Sequence, residues 1–235
     1  AACMRYAQAT QPTIGSGVSG GHLALYRLRL YRPGESLIID ETTRQNLELL
    51  HTMMERKRQG ALIGVIDQTK TAMGGRLLRR WLLEPLQDVA RIRRRHDAVE
   101  WLVDRQAVRQ ALRERLGEVY DLERLAGRLG AQVATPRDLY SLQEGLSQLP
   151  LVMQTLVASA QQEKRAAKAE AGLGLGLPEL LELGEDLCQD VAARIKAAIA
   201  DNPPALYREG GFIRRGYSAR LDECVDLSQG GKDRI

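Results

Sequence analysis

The chain has 235 residues, of which 44% are hydrophobic and 4% aromatic, and its formal net charge is +4 at pH 7. Abundant Leu and Ala predict a mainly α fold, and the interspersed acidic and basic residues permit an acidic partner without requiring one. The three cysteines (Cys3, Cys188 and Cys224) are far apart and have no CxxC spacing, so neither a disulfide framework nor a zinc site is indicated, and no apolar run is long enough for a transmembrane helix.

The N-terminal part of the chain combines a helix end, a linker and a small β element. Residues 1–9 are typical of the last turns of a helix, and residues 10–21 are a Gly/Ser/Pro-rich connector. Side chains alternate over residues 23–30, and residues 37–39 are a second extended piece that can pair with them across the Pro33–Gly34 turn. Because the sequence has neither an initiator Met nor a signal-peptide pattern, we expect a piece of a longer, intracellular protein.

Polar caps and apolar periodicity predict the helices that follow. Asp40 caps a helix running through Leu50, and residues 62–66 form a short apolar helix. Asp88 caps the next helix, and residues 105–116 form a further amphipathic helix. In the helix after Asp88, the apolar positions are Ile92, Val99, Leu102 and Val103.

The second half of the chain predicts further long helical segments. Leucines keep a rhythm of three and four residues over 139–156, which predicts a long helix that is kinked or broken at Pro150. Residues 178–200 form another helix, which Asn202–Pro204 ends. A turn-rich crossing at 210–217 leads into a last helix from Leu221. The inward positions of the 178–200 helix are Leu180, Leu181, Leu187, Val191, Ile195 and Ile199.

The most strongly patterned stretch is Asp67–Leu86, a loop that leads into a short helix. The Thr71 hydroxyl can cap this helix, and Pro85 ends it. Gly74–Gly75 is costly near a helix start, so we expect another backbone to pass close by. Trp81 is expected in a core or a domain interface. The apolar face of this short helix consists of Met73, Leu77, Leu78, Trp81 and Leu82. The arginines between these positions, which can point outward or across to a neighbour, are Arg76, Arg79 and Arg80.

Three motifs resemble signatures of the MutS family of DNA mismatch-repair proteins. Thr71–Leu82 resembles a core-domain signature that usually begins Thr-Pro-Met-Gly-Ser-Arg, so Ala72 and Gly75 depart from it. Ile38–Leu49 and Gly210–Glu223 resemble two further family segments in the same order. Three separate motifs in order are more specific than any one of them.

The resemblance runs from Tyr6 to about Leu227, except for residues 161–176, which we expect to form a variable loop or a frayed helix. It implies that residues 1–21 are the end of a connector domain with its linker. It also implies that residues 22–235 are the first segment of an elongated multi-helix core (lever) domain. In this family, such a domain couples the ATPase domain to the DNA-clamping end by a rigid-body shift.

For the full-length parent, the resemblance implies a DNA-dependent ATPase that uses ATP with magnesium. Such a parent forms a homodimer around mismatched double-stranded DNA, works with a MutL-type repair partner and resides in the bacterial cytoplasm with the nucleoid. In this piece, no catalytic, cofactor, metal or DNA-binding residues are assigned, and we do not expect it to hydrolyse ATP by itself. We expect apolar surface where other domains docked, and therefore self-association.

Two glycine motifs match phosphate-binding patterns formally. Gly15-x-Gly17-x-x-Gly20 lacks the preceding strand and the following helix of a dinucleotide fingerprint, so a flexible connector is favoured. The run Gly230-Gly231-Lys232 lacks the spacing and the trailing hydroxyl of a phosphate loop.

The histidines and the paired carboxylates do not indicate a metal site or a catalytic site. The histidines are scattered, which makes a metal site improbable, and the acidic pairs favour helix caps or surface positions over acid–base catalysis. The histidines are His22, His51 and His96, and the pairs are Glu41 with Glu48 and Asp121 with Glu123.

Two groups of arginines are the features closest to a nucleic-acid footprint. Phosphate contacts from them would give strong salt dependence, but nearby carboxylates can pair with them along a helix and no aromatic residues are interleaved. A solvated face, or contact with missing domains, is favoured over DNA. The groups are Arg91, Arg93, Arg94 and Arg95, and Arg105, Arg109 and Arg113; the carboxylates are Asp97, Glu100, Glu114 and Glu118.

The sequence therefore leaves three candidate functions. The first is a coupling domain of a mismatch-repair ATPase, which rests on the family resemblance. The second is a free-standing helical protein-interaction scaffold with no nucleic-acid role. The third is a basic DNA-binding module in its own right.

Overall fold

The computed structural model describes residues 36–169 and 186–232, and these residues are mainly helical. The predicted helix end, connector and first strand (residues 1–9, 10–21 and 23–30) lie outside the described residues. The fold class predicted from composition is confirmed.

The predicted β element is not supported by the residues that can be examined. Over the described ranges there is no β-strand, residues 37–39 included, and the partner segment predicted at residues 23–30 lies outside those ranges. Instead, an isolated antiparallel bridge joins Ser36 to Leu86, and the Leu37 N–H donates to the Pro85 carbonyl at 2.8 Å. The segment before the first helix therefore binds the end of the Asp67–Leu86 stretch.

Helix starts follow the predicted capping residues. The Asp40 carboxylate accepts from the Thr43 N–H at 2.6 Å, and the Asp88 carboxylate accepts from the Ala90 N–H at 2.8 Å. No helix in the described part of the chain is both long and apolar enough to cross a membrane. The α-helices are α1 (Glu41–Asn46), α2 (Leu62–Ile66), α3 (Ala72–Leu83), α4 (Val89–Val103), α5 (Gln106–Gly117), α6 (Leu122–Gly130), α7 (Pro136–Ala169), α8 (Gln189–Ala198) and α9 (Ala219–Lys232), with a 3₁₀ turn at Tyr207–Glu209.

The first helix is shorter than predicted. It ends at Asn46 instead of continuing through Leu50, because Glu48 takes a left-handed backbone conformation with φ of 46°. The Glu48 carboxylate then accepts from the Met53 N–H at 2.7 Å, which stabilises the loop that replaces the expected last turn.

The described residues divide into two compact units. The Trp101 unit comprises residues 36–121, 148–169 and 186–187, and the Tyr207 unit comprises residues 122–147 and 188–232. Helix α7 supplies residues to both units.

The core of the Trp101 unit lies among α4, α5 and the second part of α7. Trp101 is 3% exposed and packs with Leu112, Val152 and Leu156. Burying a Leu or Val side chain of this cluster stabilises the fold by about 1.5–3 kcal/mol. Partly buried side chains around this cluster are Leu102, Val108 and Leu116.

The apolar face predicted for α4 is only partly correct. The side chains buried on this helix are Ala98 and Trp101, whereas Val99 and Val103 are 59% and 60% exposed. Both faces carry apolar residues, so periodicity alone does not decide which one packs inward.

Helix α7 continues through Pro150 as one helix of 34 residues, so of the predicted kink or break the break is wrong. A proline has no N–H for the carbonyl four residues earlier, which here is that of Leu146. The Gln189 side-chain amide donates to this carbonyl at 2.8 Å. The backbone acceptor that Pro150 leaves open is therefore satisfied by a side chain.

The start of α7 is a reciprocal cap. The Asp138 N–H donates to the Thr135 hydroxyl at 3.3 Å, and the Asp138 carboxylate accepts from the Thr135 N–H at 2.7 Å. Burial raises the pKa of Asp138, but hydrogen bonds from Thr135 and then from Arg128 outweigh it, so the pKa lies below its usual value. Pro136 occupies the first helical position, where its fixed φ suits a helix.

In the Tyr207 unit, a loop after α8 is attached to the α6–α7 turn. The Tyr207 hydroxyl donates to the Ala134 carbonyl, and Arg137 donates to the Pro203 carbonyl at 3.2 Å. The Tyr207 ring meets Phe212 edge to face, with centroids 5.4 Å apart. These contacts order the turn-rich crossing predicted near Gly210.

Of the helix predicted over residues 178–200, residues 178–185 lie outside the described ranges and residues 186–188 are not helical. It begins at Gln189, and its backbone becomes extended at Ile199, where an isolated bridge to Ile213 ends the helix before Asn202–Pro204. Val191, predicted to face inward, is 40% exposed. Among the other predicted inward positions, Leu187, Ile195 and Ile199 are buried or half-buried, and Leu180 and Leu181 lie outside the described residues.

Candidate functional site

The Asp67–Leu86 stretch begins with a loop held by its own carboxylate. The Asp67 side chain accepts from the Thr69 hydroxyl at 2.7 Å and from the Thr69 N–H at 3.0 Å, and Arg58 also donates to it. Hydrogen bonding by Thr69, followed by the contact with Arg58, holds the pKa of Asp67 below its usual value. The loop is therefore fixed by an ionised carboxylate at neutral pH.

Thr71 caps α3 as predicted, and its hydroxyl accepts from the Gly74 N–H at 3.0 Å. A Cβ added at Gly74 would lie 3.0 Å from the Thr71 hydroxyl oxygen and 3.4 Å from the Thr69 Cβ. At Gly75 it would lie 3.4 Å from the Thr69 hydroxyl oxygen. Among the described residues, the nearest neighbours are thus side chains of the capping loop (residues 67–71), and not the second backbone that was expected at Gly74–Gly75.

The arginines of α3 divide between a neighbour and the surface. Arg76 donates two hydrogen bonds to the Asp121 carboxylate, at 2.8 and 2.7 Å, in the bidentate geometry that suits a guanidinium. Arg79 and Arg80 are exposed. Asp121 is therefore a structural partner of α3.

Helix α5 also contacts the capping loop. The Arg113 guanidinium donates to the Gln68 carbonyl at 3.0 Å. This contact and the Arg76–Asp121 pair each join residues 45 positions apart in the chain. We call Asp67–Arg76 together with Arg113 and Asp121 the joint.

The other members of the second arginine group bind backbone oxygens at the end of α4. Arg109 donates to the carbonyls of Leu102 and Val103 at 2.7 and 2.9 Å, and Arg105 donates to the Trp101 carbonyl at 2.8 Å. Cations at a helix C-terminus satisfy its open carbonyls and complement its dipole. Arg109 and Arg113 thus stabilise the fold through carbonyls instead of the predicted carboxylates.

Trp81 lies half-buried against a cation from the first arginine group. The Arg95 guanidinium carbon is 3.7 Å from the centroid of the Trp81 ring, which is a cation–π contact. Burial, and then the charge of Arg91, lowers the pKa of Arg95 from its usual value. The Arg95–Trp81 contact connects α4 to the C-terminal half of α3.

A groove of about 450 Å³ opens beside the joint. Its charged lining consists of Arg58, Arg76 and Arg79 and of the Asp67 carboxylate, to which Arg58 donates. Because Arg58 is paired with Asp67 and Arg76 with Asp121, the exposed Arg79 is the cation of this lining best placed to contact an acidic surface.

Sequence reasoning missed the glycine that lets this region close. A Cβ added at Gly64 would lie 2.2 Å from the Arg58 carbonyl oxygen, a distance that no side chain tolerates. The available signal was a glycine inside the short apolar helix α2, where its cost in propensity calls for a packing reason.

The predicted histidine and carboxylate candidates are not gathered into one site. Over the described ranges, no group of three or more His, Cys, Asp or Glu side chains is placed to hold a metal ion. Glu41 accepts from Gln45 at 3.2 Å, and Glu48 binds the Met53 N–H, which are the local roles expected for the first acidic pair.

The two glycine motifs have different outcomes. Gly230-Gly231-Lys232 belongs to α9 and therefore is not a phosphate-binding loop. The Gly15–Gly20 motif lies outside the described residues, as do His22 and Cys3.

Comparison with known proteins identifies similar sequences over nearly the whole chain. The family model described as MutS domain III matches residues 42–229. Proteins described as "DNA mismatch repair protein MutS" are 38% identical in Salinibacter ruber over 94% of this chain and 41% identical in Bacillus subtilis over 90%. In Myxococcus xanthus the identity is 40% over 99% of this chain. The chain spans 23–24% of the length of these relatives.

Proposed function

This chain belongs to the MutS family and contains its domain III, and we propose that it couples an ATP-hydrolysing domain to the DNA-clamping end of a mismatch-repair protein. In this proposal the chain is a helical core (lever) domain, and its work is mechanical. Movement at one end is passed along packed helices as a rigid-body shift.

The joint is the observation that carries the proposal. Helix α3 has no buried side chain, yet Arg76–Asp121 and Arg113–Gln68 connect it and its loop to distant parts of the sequence. An element placed by directional polar contacts keeps a defined position without being locked into a core. Such an element can pass on a shift of a neighbouring domain, because interfaces of this type repack between discrete arrangements.

The groove beside the joint supports the same proposal. It borders α3 directly, and the exposed Arg79 in its lining suits an acidic surface of another domain. The chain covers under a quarter of its relatives' length, so such a surface can come from the remainder of a longer protein.

The properties of the whole protein are part of the proposal. The parent would bind mismatched double-stranded DNA through other domains, act as a homodimer, use ATP with magnesium and work with a MutL-type partner in the bacterial cytoplasm, associated with the nucleoid. The present chain would be non-catalytic and would hold neither nucleotide nor metal. The similarity to one region of much longer repair proteins favours this proposal over a free-standing scaffold.

Replacing Gly74 tests the coupling in a full-length protein. Gly74→Val should displace the Thr71 cap, because a Cβ there lies 3.0 Å from the Thr71 hydroxyl oxygen. We expect basal ATP hydrolysis to persist while mismatch-stimulated nucleotide exchange falls. Gly127→Val is the matched control, since apart from its own helix backbone no described residue lies within 4 Å of a Cβ at Gly127. Wild-type stability together with wild-type stimulated exchange in Gly74→Val would refute the coupling role of the joint.

Direct DNA binding is the second candidate, because Arg91, Arg93 and Arg94 are exposed on α4. Titration of the chain with duplex DNA at increasing salt concentration distinguishes direct DNA binding from coupling without DNA contact. Coupling without DNA contact predicts binding no tighter than about micromolar at about 0.15 M salt. Tighter binding with a steep salt dependence would establish a DNA-contacting surface.

A further inference from the structure

A second groove, of about 320 Å³, lies within the Trp101 unit and is lined by residues of α1, α3 and the loop after α1. It is continuous with the groove beside the joint, because Leu50, His51 and Arg79 line both. We call it the Arg44 groove, and its lining includes Glu41, Arg44, Leu50, His51, Arg79 and Leu83.

The Arg44 guanidinium makes no hydrogen bond to any residue that the structure describes. Its Nη1 atom is 3.9 Å from the Glu41 carboxylate, which is too far for a hydrogen bond, and its Nε–H is shielded from solvent without an acceptor. The side chain is 34% exposed, so part of the guanidinium stays accessible from the groove. A partly buried cation without a bonded acceptor costs free energy, which an incoming anion can offset.

Arg79 adds a second guanidinium to the same groove. Its side chain is exposed and forms neither an ion pair nor a hydrogen bond with another described residue. Arg58 and Arg76, which line the neighbouring groove, are instead paired with carboxylates. The positive charge that a ligand can reach is therefore concentrated at Arg44 and Arg79.

The rest of the lining favours a carboxylate on a flexible side chain over a phosphate. A planar carboxylate matches the paired N–H donors of a guanidinium, and the half-buried Leu50 and Leu83 offer apolar contact to the methylenes of a glutamate. The Glu41 carboxylate lies in the same lining, so it opposes a dianion more strongly than a monoanion.

We propose that the Arg44 groove binds a glutamate side chain of an acidic segment elsewhere in the longer protein, with its carboxylate held by Arg44 and Arg79. This inference rests on the proposed function, in which α3 meets another domain, and it names the chemistry of that contact. The chain covers under a quarter of its relatives' length, so the remainder can supply such a segment. Two charge-assisted contacts on an open surface predict weak binding of a free peptide, with a Kd of about 0.1–1 mM at low salt.

Titration of a fluorescent hexaglutamate peptide with the 235-residue chain at low salt tests the site. Hexaglutamate should bind and hexaglutamine should not. Arg79→Ala should weaken binding at least about fivefold, because it removes one of the two guanidinium forks. Arg80→Ala is the matched control, since Arg80 is exposed on the same helix but does not line the groove, and it should bind as the unchanged chain does. Equal losses in the two variants, or a Kd above about 10 mM for the unchanged chain, would overturn the proposal.

Histidine signals in NMR spectra report where the peptide binds. Hexaglutamate should shift the imidazole signals of His51, which lines the groove, and leave those of the exposed His96 on α4 unchanged. A shift at His96 without one at His51 would place the peptide on the arginines of α4 and overturn the proposal. Inorganic phosphate at about 1 mM and constant ionic strength should not displace the peptide, and displacement would assign the groove to a free phosphate ion.

Comparison with the full-length protein tests the source of the acidic segment. If that protein fills its own groove, it should bind hexaglutamate at least about fivefold more weakly than the 235-residue chain does. Equal binding would overturn the intramolecular source and assign the groove to an acidic segment of a separate protein. Peptide binding requires no ATP, so its absence would overturn the groove assignment alone, whereas unchanged nucleotide exchange in variants of the joint would refute the coupling alone.

Discussion

The core and the joint of the Trp101 unit are held by opposite kinds of interaction. Trp101, Leu112, Val152 and Leu156 are each less than 10% exposed and make apolar contacts. In the joint, the Arg76 and Asp121 side chains remain 46% and 22% exposed, but their two hydrogen bonds have defined directions. Apolar burial therefore dominates the stability of the core, whereas directional polar contacts in the joint connect α3 and its loop to Asp121 and α5.

This difference has a simple energetic basis. Apolar burial contributes about 25 cal/mol per Å² whatever the direction of the contact, whereas a solvent-exposed ion pair contributes about 0–1 kcal/mol. A variant that empties the core should therefore unfold the chain, and a variant of the joint should change positions at little cost in stability.

The largest loss of stability is expected from the core. Leu156→Ala removes a side chain that is 4% exposed, and it should lower the free energy of unfolding by about 2–5 kcal/mol. Leu227→Ala, at a site that is 77% exposed, should change it by less than about 0.5 kcal/mol. Denaturant titration measures both values, and equal losses would remove the distinction between core and surface.

The next largest loss of stability is expected at Gly64, which lies against the backbone of Arg58. Gly64→Ala forces a Cβ to 2.2 Å from the Arg58 carbonyl oxygen, so the loop must move, and we expect a loss of about 1–3 kcal/mol. Gly127→Ala has open space and should instead stabilise helix α6 by about 0.5–1 kcal/mol. The two alanines should thus act with opposite sign in the same unfolding assay, and an unchanged stability of Gly64→Ala would show that the close approach is absent.

A smaller effect is expected at the proline of α7. Gln189→Ala leaves the Leu146 carbonyl without its 2.8 Å donor and should lower stability by about 1 kcal/mol. The same substitution should cost much less in a Pro150→Ala background, where the new N–H can bond this carbonyl along the helix. A double-mutant cycle on unfolding free energies measures the coupling, and additive effects would contradict this role of Gln189.

Features that depend only on residues close together in the sequence, such as helix caps, were predicted correctly. The caps at Asp40, Thr71 and Asp88 are confirmed, as is the short helix Leu62–Ile66. A cap needs only a side-chain oxygen within three residues of a free N–H, so it is largely independent of the tertiary fold.

Features set by distant contacts were not predictable in the same way. Pro150 is accommodated because Gln189 arrives from another segment, and Gly64 is required by a carbonyl that packs against it. The buried face of α4 was also misassigned, since Val99 and Trp101 both fit an apolar helical pattern. No local pattern predicts the role of Asp121, because its partner Arg76 lies 45 residues away in the chain.

The smallest loss of stability, and the most direct test of the coupling proposal, is expected at Arg76 and Asp121. In a full-length protein, Arg76→Asp and Asp121→Arg should each reduce mismatch-stimulated nucleotide exchange about tenfold, while basal ATP hydrolysis persists. Each should change the free energy of unfolding by about 1 kcal/mol or less, because the pair is exposed.

The decisive measurement is the stimulated exchange rate of the double variant Arg76→Asp with Asp121→Arg. If the joint couples the two ends of the protein, the exchanged pair should restore most of the stimulation lost in the single variants. Single variants with unchanged stimulation at normal stability would contradict the coupling role of the joint.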